Sequence, residues 1–399
     1  PDSPEAAEAG LVAGQVLERL DRPDAALHQY KRLLGHDASS ALQARALLAA
    51  ARLHGRLKQF PDATAKYQRL LEKHPESVEA DAALYGWAWA EQEQGRSQAA
   101  LDLFARLNRE YPQSRYWSDA TFRLAKHHAA RGAAAAAAAL VEELASRPSA
   151  DKELRAHARF LIAQMAISKQ DWDAAAKALD QLLEENADSS LAPTIEFWRA
   201  EAAYRQNDGL GAQERFDALD ALPREGQPSW RGTVALRRAQ LRAQQEQWRE
   251  ALAIADTMRN DYPDFAQRQE VDYLRGRCLA SLGELRAARE AYRDALAAPN
   301  VAKTETAAMA QWMIGETWFH QGDYAQAIRE YLRGQTLYGY PRWQAASLLQ
   351  AGKCSELLGD RRQAIDLYKQ LIEKYGEPAF VDEARLRLKE LEPAVAKKK

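Results

Sequence analysis

The chain has 399 residues, 46% of them hydrophobic and 28% charged, with a formal net charge of -2. So balanced a charge argues against a surface that works by neutralising nucleic-acid phosphates. Two cysteines, Cys278 and Cys354, exclude a disulfide-dense scaffold and leave the compartment open. Leu, Ala, Arg and Glu are prominent and β-branched residues scarce, which points to an all-α chain. The longest apolar run, AAAAAAALV at 133–141, is too short to span a bilayer.

From the N-terminus onward one alanine recurs: Ala26, Ala63, Ala100, Ala137, Ala175, Ala212, Ala251, Ala288, Ala327 and Ala364. Successive spacings are 37, 37, 37, 38, 37, 39, 37, 39 and 37. A fixed period in this range is the mark of a solenoid. Four residues after each anchor comes an apolar column: Tyr30, Tyr67, Phe104, Val141, Leu179, Phe216, Ala255, Tyr292, Tyr331 and Tyr368. That spacing puts both columns on one face of a helix. Twelve residues before each anchor stands only Gly or Ala, from Gly14 and Ala51 to Gly315 and Gly352. Fifteen before it stands a large apolar residue, from Leu11 and Leu48 to Trp312 and Leu349.

Each unit therefore predicts two helices, the first carrying the large and small columns and the second the anchor and the aromatic. Small residues let the axes approach, and the aromatic fills the space beside the contact. Gly95, Gly132, Gly283, Gly322 and Gly359, five before their anchors, predict the left-handed turn between the helices. Pro75, Pro112, Pro148, Pro223, Pro263 and Pro299 close second helices. Ten such units fill residues 7–376.

The two ends complete the frame. Pro1 stands in phase with the closing prolines, so residues 1–6 read as the remnant of an inter-repeat loop, with more chain expected before it. At 377–393 a helix imitates a first helix but carries Lys389 at the small position, the sign of a capping helix with a polar outer face. Residues 394–399 are expected to be a disordered, Lys-rich tail. Trp117, Trp230 and Trp343 lie just ahead of first helices, where an apolar residue packs between units or fixes the angle at which the chain enters the helix.

The columns, with their small residue, alanine, aromatic and closing proline, resemble the tetratricopeptide repeat. Two features depart from the usual pattern. The large residue of the first helix sits three rather than four before the small one, and the period is near 37 rather than 34. KHPES, EYPQSRYWSDA and NDYPDF resemble the long-loop variants of bacterial envelope proteins of the outer-membrane-assembly lipoprotein and Tol–Pal accessory type. The resemblance implies a right-handed α-solenoid of about ten repeats and a C-terminal cap. It also implies that the first helices line the concave face. The outward positions there are Arg19, Arg45, Arg52, Arg56, Trp89, Tyr204, Arg205, Arg277, Glu316, Phe319 and His320. Arginine and aromatic residues dominate binding hot spots, though charged residues also keep any helix soluble. The first four form a basic cluster whose only close acidic neighbours are Glu8 and Glu18, suited to an acidic or C-terminal-carboxylate peptide.

No phosphate loop, HExxH pair, nucleophile elbow or CxxC occurs. His127 and His128 are adjacent, so on a helix they point apart and lack a metal partner at i+4. The cysteines read as packing thiols. The alanine-rich second helix of the fourth unit is plain drift or a depression for a partner. The expected function is a non-enzymatic scaffold for proteins or peptides, with no cofactor, metal, nucleic acid or small-molecule substrate. A role in assembling an envelope complex, in the bacterial periplasm rather than the cytoplasm, follows from the loop likeness. The alternatives are the solenoid arm of a larger enzyme whose catalytic domain precedes Pro1, and a helical-repeat RNA reader, which the near-neutral charge and the period disfavour.

Overall fold

Alanine and leucine at helical spacing turn nearly the whole chain into short helices broken by tight turns. The computed structural model describes residues 4–35, 38–223, 228–298, 301 and 304–396, and among these there is no strand. Helices fall into two units that divide after Gln206. The first holds α1 (Pro4–Arg19), α2 (Pro23–Arg32), α3 (Ser40–Arg56), α4 (Phe60–Lys73), α5 (Ala80–Glu93), α6 (Ser97–Glu110), α7 (Trp117–Ala130), α8 (Ala134–Ala145), α9 (Lys152–Ser168), α10 (Trp172–Glu185) and α11 (Ala192–Arg205). The second holds α12 (Gly209–Asp220), α13 (Arg231–Gln244), α14 (Trp248–Asp261), α15 (Arg268–Ser281), α16 (Leu285–Ala297), α17 (Glu305–His320), α18 (Tyr324–Leu337), α19 (Pro341–Leu357), α20 (Arg361–Lys374) and α21 (Pro378–Ala396).

Within each unit every helix packs on the next, and first helices also touch, as α1 does α3, α3 does α5, α15 does α17 and α17 does α19. The architecture is an all-α stack of helical hairpins. All ten anchor alanines are buried, and so is the whole column four residues on. The small column explains itself through its neighbour. Where it is glycine, at Gly14, Gly276, Gly315 and Gly352, an added Cβ would collide with the ring of Tyr30, Tyr292, Tyr331 or Tyr368. Where it is alanine the ring is Phe or the residue aliphatic, except at Tyr67, whose hydroxyl instead lies against Gly86 on the next first helix.

The turn is more uniform than the sequence suggests. The five glycines named above have φ of 74–82°, and the same position in the other five units is also left-handed. There it is held by Asp21, Lys58, Gln170, Asn207 and Glu246 at φ 54–62°. The second helices at Asp171, Asp208, Asp323 and Asp360 begin with an aspartate that accepts from the backbone amide three residues on.

The ends differ in detail from expectation. α1 begins at Pro4, so residues 4–6 belong to a helix and not to a loop; proline fits a first helical position because its missing N–H needs no partner there. Residues 1–3, with Pro1, lie outside the described residues, as do Pro299 and 397–399. α21 runs on to Ala396 and so includes 394–396. Its Val381, Ala384 and Leu391 are buried in the core shared with α19 and α20, and Lys389 is exposed. Trp117 opens α7, Trp230 precedes α13, and Trp343 is the third residue of α19 rather than ahead of it. Trp117 is buried with the Arg147 guanidinium 3.5 Å from its ring centre, and Trp343 packs at 5.6 Å on Trp312.

Candidate partner-binding grooves

Arg45, Arg52 and Arg56 share a face of α3 because their spacings of seven and four match helical turns. Their neighbours on α1 decide their state. Glu8 takes Arg45 at 2.7 Å, and Glu18 takes Arg56 while also accepting the Tyr30 hydroxyl. The basic cluster expected from sequence is thus half neutralised by the two carboxylates that stand nearest. Arg19, at the end of α1, is exposed. Arg52 meets no carboxylate among the described residues, and its guanidinium reaches the Tyr116 hydroxyl at 3.3 Å.

Arg52 and Arg56 wall a cavity of about 590 Å³, together with Glu18, Phe60, Trp89 and Glu93. Tyr67, Gly86 and Ala90 line it too. Burial pushes the Tyr67 hydroxyl up to about 12, against the opposing pull of Arg52. Trp89 is held by the Arg123 guanidinium 3.8 Å from its ring centre and by Tyr85 edge-on at 6.4 Å. Tyr204 and Arg205 lie on α11 and do not line this cavity; Arg205 pairs with Glu201 at 2.8 Å and lies 5.6 Å from the Trp172 ring.

In the second unit a cavity of about 560 Å³ opens between α15, α16 and α17. Trp312, Met313, Glu316 and His320 line it from α17, and Ala280 and Leu285 face them. Glu316 Oε1 accepts from the Tyr331 hydroxyl at 2.6 Å and from Gln350 Nε2 at 2.7 Å. Phe319 packs instead on His320 and Tyr324, and Arg277 lies 6.0 Å from the Trp248 ring. Of the eleven residues read from the sequence, Arg52, Arg56 and Trp89 meet at one cavity and Glu316 and His320 at another. Phe60, Tyr67 and Gly86 join the first cavity although their periodicity in the sequence reads as ordinary packing.

Nothing in either cavity resembles a catalytic constellation. Burial raises the Cys278 thiol to about 11 and Cys354 to about 12, the latter helped by the negative charge of Glu316, so neither is a thiolate near neutral pH. His127 and His128 stand edge to face at 5.8 Å. Among the described residues no group of three or more His, Cys, Asp or Glu could hold a metal ion, and no helix is long and apolar enough to cross a membrane.

Comparison with known proteins fits this geometry. A tetratricopeptide repeat-like domain profile matches residues 166–311, and two tetratricopeptide repeat profiles match 11–77 and 82–114 with 346–377. The apo form of RapI is 10% identical, with 96% of this chain and 99% of that one covered at a TM-score of 0.51. The C-terminal part of a repeat protein from Cytophaga hutchinsonii is 12% identical over 65% of this chain and 98% of that one, also at 0.51. PilW, a type IV pilus biogenesis factor, is 18% identical over 57% and 97% at 0.46. At these identities the likeness is one of fold. No curated protein matches the sequence.

Proposed function

We propose, on the premise that this chain is a tetratricopeptide repeat protein, that it is a non-enzymatic scaffold whose first unit holds a partner peptide in the groove of α1, α3 and α5. The observation that carries this reading is Arg52, a guanidinium on the cavity wall that meets no carboxylate among the described residues. Arg45 and Arg56 are already paired, and Glu93 faces the same space. The groove therefore suits one carboxylate, such as a free C-terminus, rather than a run of acidic side chains. Phe60 and Trp89 supply apolar and aromatic surface for the residues beside that carboxylate.

Titration with peptides bearing either a free C-terminal carboxylate or a C-terminal amide tests this. The acid form should bind and the amide form should not, and Arg52→Glu should abolish binding. Equal binding of acid and amide, or an unchanged Arg52→Glu variant, would sink the reading. We place the scaffold in assembly of a bacterial envelope complex, on the likeness of the loops at 73–77, 110–120 and 260–265 to those of envelope repeat proteins. Cell fractionation that finds the chain with cytoplasmic markers would overturn that placement. Its partners are proteins rather than nucleic acids, in keeping with a net charge of -2.

A further inference from the structure

We infer that the second unit carries a pocket for an arginine side chain of a bound partner, centred on Glu316. The inference shares the premise that the chain holds other proteins, but makes no use of the first-unit groove.

Three hairpins set a tyrosine hydroxyl on a glutamate: Tyr30 on Glu18 and Tyr368 on Glu356, each twelve residues apart, and Tyr331 on Glu316, fifteen apart, so that Glu316 stands about one turn earlier on its helix. In two of them a guanidinium from the next first helix completes the site, Arg56 for Glu18 and Arg387, at 3.2 Å, for Glu356. At Glu316 the next first helix, α19, offers only the neutral amide of Gln350. Lys353 on that helix turns to Glu383 at 2.8 Å instead.

Glu316 is consequently a nearly buried carboxylate, its side chain 13% exposed, without a strong cation. Both neutral donors go to Oε1. Oε2 has no hydrogen bond among the described residues; the closest cationic candidate is His320 Nε2 at 3.8 Å. Beside it the Gln350 Oε1 is buried and also lacks a donor. A nearly buried carboxylate left this way is costly unless a charged donor arrives. The group that meets the glutamate in the other two hairpins is a guanidinium, whose N–H donors suit a carboxylate, and of the two acceptors it is Glu316 that lines the cavity. The surrounding cavity fits its stem: Leu285, Ala280 and Met313 give apolar walls, and Trp312 gives aromatic surface that attracts a cation.

The probe is the capped tripeptide acetyl-Ala-Arg-Ala-amide, titrated into the full chain while the Trp312 indole signal, assigned with Trp312→Phe, is followed by NMR. It has no carboxylate, so its binding does not depend on Arg52 and the two readings fail separately. We expect saturable binding, no response to the citrulline counterpart, weaker binding of the lysine counterpart, and a loss of about tenfold or more in Glu316→Gln. Gln350→Arg would supply the guanidinium from α19 itself. It should raise the melting temperature and remove peptide binding, a readout that needs no loss of folding. Equal response to the citrulline or lysine peptide, or an unchanged Glu316→Gln or Gln350→Arg variant, would overturn the proposal.

Discussion

The ring of Tyr368 occupies the space that a Cβ on Gly352 would need, with Cζ only 2.7 Å from the ideal Cβ position. Neither residue can be larger while the other stays. Gly352→Ala should therefore destabilise the chain by about 1–3 kcal/mol through overpacking. In a Tyr368→Leu background, which reproduces the Ala163 and Leu179 pairing of the fifth hairpin, the added cost should nearly vanish. Urea denaturation of the four chains measures the coupling. Additive effects would mean that the two positions do not share one space.

Lys58, Gln170 and Glu246 hold a left-handed backbone conformation that their side chains disfavour by about 1–2 kcal/mol. Glycine takes the same conformation without strain, at some cost in the freedom of the unfolded chain. Each of Lys58→Gly, Gln170→Gly and Glu246→Gly should stabilise by about 0.5–1 kcal/mol. Calorimetric melting of the triple variant should show a clear upward shift, and a drop would refute the strain.

Glu18 joins Tyr30 to Arg56 at the wall of the first groove and so occupies the Arg56 charge that a ligand there would meet. Glu18→Gln preserves an oxygen for the tyrosine hydroxyl but releases the guanidinium. Because Arg56 is 60% exposed, solvent screens the pair, and the stability lost should be no more than about 1 kcal/mol. Affinity for a carboxylate-ended peptide should rise several-fold. Calorimetric titration that shows weaker binding would place the peptide elsewhere.

Burial raises the two cysteine thiols and many tyrosine hydroxyls in the same direction, Tyr292, Tyr331 and Tyr368 among them, which sets an alkaline limit. Cys278 moves from 9.0 to about 11, Cys354 from 9.0 to about 12, and Tyr67 and Tyr273 from 10.0 to about 12. A group whose folded value is raised stabilises the fold fully below its unfolded value and loses that contribution as pH climbs through the folded one. Stability should hold up to about pH 9 and fall progressively above it, through about pH 12 and beyond as the more strongly raised Tyr292, Tyr331 and Tyr368 follow. Chemical denaturation across that range checks it. The double variant Cys278→Ala, Cys354→Ala should delay the onset of the fall to about pH 10, where the tyrosines begin. Near neutral pH a thiol reagent should label neither cysteine until the chain unfolds.

The sequence by itself determined the helical hairpin, its number and its register. Each hairpin is a contact between near neighbours: Gly352 and Tyr368 lie 16 residues apart, so their small and aromatic identities recur as a one-dimensional pattern. A packed column repeated ten times is readable because each copy must meet the same steric demand. The left-handed turn was readable only where glycine announced it, since Lys58 or Gln170 betrays nothing of its backbone.

Tertiary structure decided which charges remain free. Arg45 and Glu8 are 37 residues apart, Arg56 and Glu18 are 38, and only the approach of α1 to α3 brings them together. The same spacing sets Lys353 beyond Glu316, yet Lys353 pairs with Glu383 and leaves the carboxylate to Gln350. Long flexible side chains have several partners within reach one repeat away, and the choice among them depends on distances of a few ångströms that a linear pattern does not hold. The sequence determined the repeat fold; the packing of neighbouring first helices decided which of its charges are paired.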